Sequence, residues 1–278
     1  MLTAGGVVLS MAAALLYGTG AVCAWRELRR GLPGGPLTWE LALVGMAAQA
    51  GALLWGWVSE GQVAFVGGAG GSLGVFAVCV GMGFLLLRAR SRGPVWGVLL
   101  LPVASVAALA GALWGALHEG GVASTFGMSW GLLHVIPAVA GIACLVAAAA
   151  LCLTYLVEER YLRARQLRDV LQWLPALEVL DHLSAQALRL AFALLSLGLA
   201  AGAVRALLWK ELGGAWVLDP KVVSAAATWL LVGGVAVARR RGQFGGRRFA
   251  YLVLLAAALA AFTYVGVDAL LRGGHAGL

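Results

Sequence analysis

His134 and His275 are the residues of this chain best placed to do chemistry. Each stands at the end of a long apolar run, and counting the runs between them puts both on the same side. The two other histidines differ in setting: His118 lies in a Gly-rich stretch and His182 among charged residues. No Ser/His/Asp or HExxH arrangement occurs, and no phosphate-binding glycine loop stands in a strand–helix context. The four cysteines, Cys23, Cys79, Cys144 and Cys152, all fall inside apolar runs without a CxxC pair. They read as buried structural thiols rather than redox or zinc ligands. No catalytic residue is expected from these patterns. What remains is metal ligation: two imidazoles at similar depth can take both axial positions of one haem iron. The same pair equally suits two solvated or hydrogen-bonded histidines.

The elements that must position them are membrane-spanning. Of the 278 residues, 62% are hydrophobic and 12% charged, and the mean hydropathy is +0.92. A soluble domain carries about 25% charged residues and still needs a polar exterior; lipid removes that demand. A span takes about 20 apolar residues. Such runs occur at Leu2–Trp25, Thr38–Val58, Phe65–Leu87, Val95–Leu117, Gly131–Val157, Leu183–Leu208, Lys221–Ala238 and Arg248–Leu271. The expected fold is therefore an all-α, polytopic bundle of about eight transmembrane helices. The amphipathic stretch Gln166–His182 is too polar to span and is expected as an interfacial helix, interrupted near Pro175. Residues 1–128 form an N-terminal four-helix half and 129–278 a C-terminal four-helix half, with the interfacial segment at 158–182.

Lysine and arginine bias orients the bundle. Arg26, Arg29 and Arg30; Arg88, Arg90 and Arg92; Arg160, Arg163, Arg165 and Arg168; and Arg239, Arg240, Arg241, Arg247 and Arg248 all fall on one side of an eight-span chain. That side is expected to be cytoplasmic, with both termini outside, in the cell (inner, cytoplasmic) membrane. The N-terminus becomes basic only after its apolar run, the reverse of a cleavable leader. The net charge of +8 sits in short clusters between apolar runs, so membrane lipid, not nucleic acid, is the expected environment.

The outer side collects Trp55, Trp57, His118, Trp130, His134, Trp209, Trp216, Asp219 and His275. Tryptophan is common at membrane interfaces, so Trp216 has an anchoring role open to it. Asp219-Pro220 suits a helix start, with Asp as N-cap and Pro at the first helical position. Asp268 and Arg272 are spaced to pair. Gln49, a lone polar group in an apolar run, is expected to bond across helices.

Several stretches carry a resemblance. Trp216-Val217-Leu218-Asp219-Pro220-Lys221 is followed by Thr228-Trp229. His134-Val135 opens a helix that closes on Glu158-Glu159-Arg160. Leu174-Pro175 leads to Leu177-Glu178, and Tyr264-Val265-Gly266-Val267 precedes Gly274-His275. Taken in their order along the chain, they resemble the cytochrome c assembly family, the CcsA/HemX-like membrane proteins, from about Trp130 to the C-terminus. The resemblance implies haem handling on the outer face. His134 and His275 would be the iron ligands, Trp216 and Asp219 part of the outer haem platform, and Arg205 or Lys221 partners for the propionates. The haem implied is haem b. Implied partners are an apocytochrome c with its CxxCH thiols and a second cytochrome c assembly subunit.

The chain also departs from the family pattern. Leu218 replaces the loop's second tryptophan, Val222 the glutamate after Asp-Pro-Lys, and no histidine stands near Val237 and Ala238. These departures resemble a shorter, HemX-like branch rather than a complete haem lyase. Two alternatives stay open. One is a regulatory scaffold acting on haem synthesis through glutamyl-tRNA reductase, using the segment from Glu158 to His182. The other is a haem-free structural subunit of a membrane complex. The orientation is testable with reporter fusions: those after Arg92, Arg168 and Arg241 are expected to score cytoplasmic. A fusion after Gly213 that also scores cytoplasmic overturns the eight-span topology.

Overall fold

Lipid offers no hydrogen bonds to a backbone, so a spanning segment must satisfy its own amides, and apolar runs of this length do so as helices. A computed structural model of the chain describes residues 4–60, 69–90, 93–117, 128–164, 174–208, 218–243 and 245–263. They form α1 (Ala4–Arg29), α2 (Pro36–Glu60), α3 (Ala69–Arg90), α4 (Val95–Leu117), α5 (Met128–Arg163), α6 (Leu177–Leu208), α7 (Pro220–Arg240) and α8 (Gly246–Ala261). Seven of the eight are long and apolar enough to cross a membrane, α8 being described over 16 residues. Among the described residues there is no strand. The protein is thus a multi-pass, all-helical membrane bundle. Its lipid-facing surface includes Leu15, Val106, Leu230 and Leu255, each more than half exposed.

Two of the elements are longer than the apolar runs announce. α5 has 36 residues, or about 54 Å of helix against a hydrocarbon core of about 30 Å. It continues through Glu158 and Glu159 to Arg163. α6 has 32 residues and begins at Leu177 rather than Leu183. This corrects the expectation of a separate interfacial helix reaching His182: Leu177–His182 are the opening turns of α6. Hydropathy stops at the first charged cluster, but a helix leaving the bilayer keeps its own backbone bonds and so has no reason to stop there. Residues 165–173 lie outside the described residues.

Consecutive helices run antiparallel and pack around two apolar cores. The first joins α1–α4 around Tyr17, Phe84 and Trp96, with Ala143, Ala150 and Leu151 of α5 and Leu180 of α6 closing it. The second joins Leu145, Ala148 and Cys152 of α5 to Leu188 of α6, Val232 of α7 and Phe249 and Val253 of α8. α5 is therefore the wall between them, one face to each. Cys152 is buried, and all four cysteines are free thiols.

Buried polar groups tie the helices where apolar packing has no direction. The Gln49 amide donates to Ser10 Oγ at 3.3 Å, the cross-helix bond expected of that residue. Ser105 Oγ donates to the Ala14 carbonyl at 2.7 Å, pinning α4 to α1. At the arginine-rich end the Arg88 guanidinium donates to the Gly34 carbonyl and, at 3.1 Å, to that of Gly35, while Thr38 donates to Glu27 at 3.1 Å. Together they fix the α1–α2 turn against α3.

Close approach needs small residues. α3 and α4 meet backbone to backbone: a Cβ built on Gly111 falls 2.9 Å from the Gly70 carbonyl oxygen. Backbone cannot rotate away as a side chain can. Gly111→Ala is expected to cost about 1–3 kcal/mol through overpacking, read as a lowered thermal midpoint in detergent. Gly51, with nothing within 4 Å of its Cβ position, is the control: Gly51→Ala is expected not to lower the midpoint.

Candidate functional site

His134 stands near the start of α5, at the end of the bundle opposite the arginines. Three residues on, Pro137 lacks the N–H that would close on the Leu133 carbonyl, so this stretch of α5 leans more on its neighbour. That neighbour is α6, whose Gly198-Leu199-Ala200-Ala201-Gly202 places two glycines one turn apart on a face. A Cβ on Gly198 would lie 2.9 Å from both the Ala138 backbone nitrogen and its Cβ; one on Gly202 would lie 2.9 Å from His134 Cε1 and Nδ1. The imidazole occupies a notch that only glycine leaves open.

Within the notch His134 Nδ1 is 2.7 Å from the Gly198 carbonyl oxygen. A carbonyl oxygen only accepts, so Nδ1 carries the proton and donates. In the neutral ring the lone pair then belongs to Nε2. An imidazole held by an Nδ1–H bond to a carbonyl is in the tautomer that suits ligation through the other nitrogen. The donor chemistry of His134 thus fits one axial position of a haem iron.

The other expected site residues divide by position. Arg205 is half-buried near the end of α6, at the same end of the bundle as His134. Asp219 and Lys221 flank the start of α7, at that end too. Asp219 Oδ1 accepts from the Lys221 amide at 2.8 Å, with Pro220 opening the helix; this is the N-cap arrangement that Asp219-Pro220 announces. Leu218, where the family carries a tryptophan, is 80% exposed. His118, Trp209, Trp216, His275 and the Asp268–Arg272 pair lie outside the described residues. Among the described residues no three metal-ligating side chains cluster, so a site with more than one or two protein ligands is not assembled there.

Trp229, from the Thr-Trp pair, has a structural task. Its indole N–H donates to Ser196 Oγ at 2.7 Å, and that hydroxyl donates to the Phe192 carbonyl at 2.7 Å. The Phe192 and Trp229 rings stack at 5.6 Å. Gly233 leaves room for the Phe192 ring, since a Cβ there would meet it at 2.6 Å. α7 is docked on α6 through this cluster, one to two turns along α6 from the Gly198 carbonyl. Sequence reasoning missed both the Ser196 contact and the glycine notch. The notch had a signal, a G-x-x-x-G in an apolar segment; Ser196 had none.

Residues 66–275 match the family described as Cytochrome C assembly protein. Curated relatives include an uncharacterized 28.8 kDa protein of Azospirillum brasilense, 31% identical over 50% of this chain and 50% of its own. The cytochrome c biogenesis protein CcsA of Guillardia theta is 38% identical over 36% of this chain and 32% of its own. CcsA of Thermosynechococcus vestitus is 37% identical over 38% of this chain and 32% of its own. The chain thus spans between a third and a half of the length of these relatives. No solved structure matches.

The notch is testable without any ligand. In Gly202→Ala the new methyl and the imidazole cannot share the space, so the ring is expected to leave the Gly198 carbonyl. Acylation of His134 by diethyl pyrocarbonate, followed by peptide mass spectrometry with His182 as the internal reference, is then expected to rise severalfold. Unchanged labelling contradicts the notch.

Proposed function

The chain belongs to the cytochrome c assembly protein family, and from that premise we propose that it handles haem in cytochrome c biogenesis. The observation that carries the reading is the His134 Nδ1–Gly198 carbonyl bond of 2.7 Å, which points the ring's ligating capacity to Nε2. His275, outside the described residues, is the second residue that would hold the iron, since it follows the eighth apolar run and matches the family's closing motif. The proposed face is the end of the bundle opposite the arginines. By the positive-inside bias it faces outward from the cytoplasmic membrane.

A haem held there would supply the edge to which the thiols of a partner could be joined. The residues of this chain bind and orient. His134 offers a nitrogen whose direction is set by α6 backbone, so little rotational freedom is lost on ligation. Arg205 and Lys221 bring two positive charges to the end where propionates would lie. Trp216, outside the described residues, is proposed to add flat indole contact area to the platform. Leu218 makes that platform less aromatic than the family pattern, so partial occupancy after purification is expected. An apocytochrome c is the proposed recipient. The chain is not proposed as a complete lyase, because the family's additional transmembrane histidine is absent near Val237 and Ala238.

The test is haem reconstitution followed by absorption spectroscopy. Wild type is expected to give a low-spin, six-coordinate Soret spectrum. His134→Ala or His275→Ala alone is expected to shift it toward a five-coordinate or water-ligated form, and the double variant to lose the band. His118→Ala and His182→Ala are expected to match wild type. Equal Soret bands in wild type and double variant sink the bis-histidine arrangement. No band in wild type with excess haem favours the haem-free structural subunit.

A further inference from the structure

The opposite, arginine-rich end of the bundle holds a cleft of about 660 Å³ bordered by the ends of α3, α6, α7 and α8. Behind it stand Leu188, Ala236 and Phe249, all buried in the second core. Its rim is basic: Arg90, Arg189, Arg239 and Arg240 stand against two carboxylates, Glu178 and Asp181. The Asp181 carboxylate is engaged by Arg239 in an ion pair, and the Arg239 guanidinium lies 4.9 Å over the Phe249 ring. Arg90, Arg189 and Arg240 are exposed and form no ion pair among the described residues.

The depth of Arg189 narrows the ligand class. It lies twelve residues into α6, about 18 Å from Leu177 along the axis. α6 has 32 residues, about 48 Å, against about 30 Å of hydrocarbon. About 18 Å is left over at the two ends together. Arg189 therefore sits at or inside the hydrocarbon boundary, on an exposed face. A guanidinium there must reach back to the headgroup layer along its own aliphatic stem. Its planar fork matches phosphate oxygens in pairs. A soluble anion or an acidic protein segment would have to leave water to reach Arg189, whereas a lipid phosphate already stands at the bilayer edge. Basic rim and bilayer-edge depth together describe one chemistry.

We propose that this cleft binds an acidic glycerophospholipid from the adjoining leaflet, its phosphate between Arg189 and Arg240 and its acyl chains in the surrounding hydrocarbon. The bound lipid would then bridge α6 and α7, whose direct packing includes the Phe192–Trp229 stack near mid-helix. The site is independent of haem, and its test does not involve haem.

The experiment is native mass spectrometry of the full chain in detergent with equimolar phosphatidylglycerol and phosphatidylcholine of identical acyl chains. Wild type is expected to retain phosphatidylglycerol in excess. Arg189→Gln and Arg240→Gln are each expected to cut that preference roughly fivefold, and the double variant to erase it. Arg26→Gln/Arg30→Gln, which neutralises a different basic cluster, is expected to keep it. Millimolar inorganic phosphate is expected not to displace the lipid. Equal retention of the two lipids by wild type overturns the proposal, as does an undiminished preference in both single variants. Displacement of the lipid by inorganic phosphate overturns it in favour of a simple anion site. Thermal midpoints measured without added lipid separate loss of binding from loss of fold.

Discussion

The packing of α5 against α6 is the constraint on which the rest of the bundle depends. In lipid there is no hydrophobic force to bring helices together, so close packing and a few directed bonds must do it. Gly198 and Gly202 let the α6 backbone come within van der Waals range of Ala138 and His134. α5 thereby becomes a fixed wall: Ala143, Ala150 and Leu151 complete the α1–α4 core, and Leu145, Ala148 and Cys152 complete the α6–α8 core. A helix displaced here would open both cores at once. The same contact sets the imidazole of His134, so the candidate ligand is positioned by the interaction that fixes α5 between the two cores.

Directed polar bonds appear at the two ends of the bundle for different reasons. At the arginine-rich end, Arg88 is bonded to the Gly34 and Gly35 carbonyls and Arg239 to Asp181. These guanidiniums lie where helices leave the bilayer and turn carbonyls lack helical partners. Exposed pairs such as Arg163–Glu159, at 2.8 Å with the arginine largely in solvent, add only a few tenths of a kcal/mol. At the other end the bonds orient rather than bind: the Gly198 carbonyl sets the His134 tautomer, and Asp219 fixes where α7 begins. A site that must present one nitrogen in one direction benefits from backbone partners, which have no rotamers to lose.

Part of the fold was legible because hydropathy is a property of single segments. α4 runs from Val95 to Leu117, the limits of its apolar run, and α7 starts at Pro220, where Asp-Pro announces a capped start. Gln49 was legible for the same reason, since a lone amide in an apolar run must bond to something. The true lengths of α5 and α6 were not. Glu158, Glu159, Asp181 and His182 read as membrane exits, yet the helices run on through them, and two of these carboxylates meet partners remote in sequence: Asp181 meets Arg239 and Glu159 meets Arg247 at 3.6 Å.

The sequence by itself determined that the chain is a bundle of membrane helices, where most of those helices lie, which end carries the arginines, and which residues match the cytochrome c assembly family. Those properties depend on apolar length, charge placement and short motifs, each read within a few residues. Only the tertiary structure decided that His134 is held in a glycine notch with Nδ1 on the Gly198 carbonyl, that Trp229 docks α7 through Ser196, and that four arginines from three helices surround one cleft. Each of these joins residues from different helices, dozens of positions apart in the chain. Their meeting is set by how closely the backbones can approach, which no single segment contains.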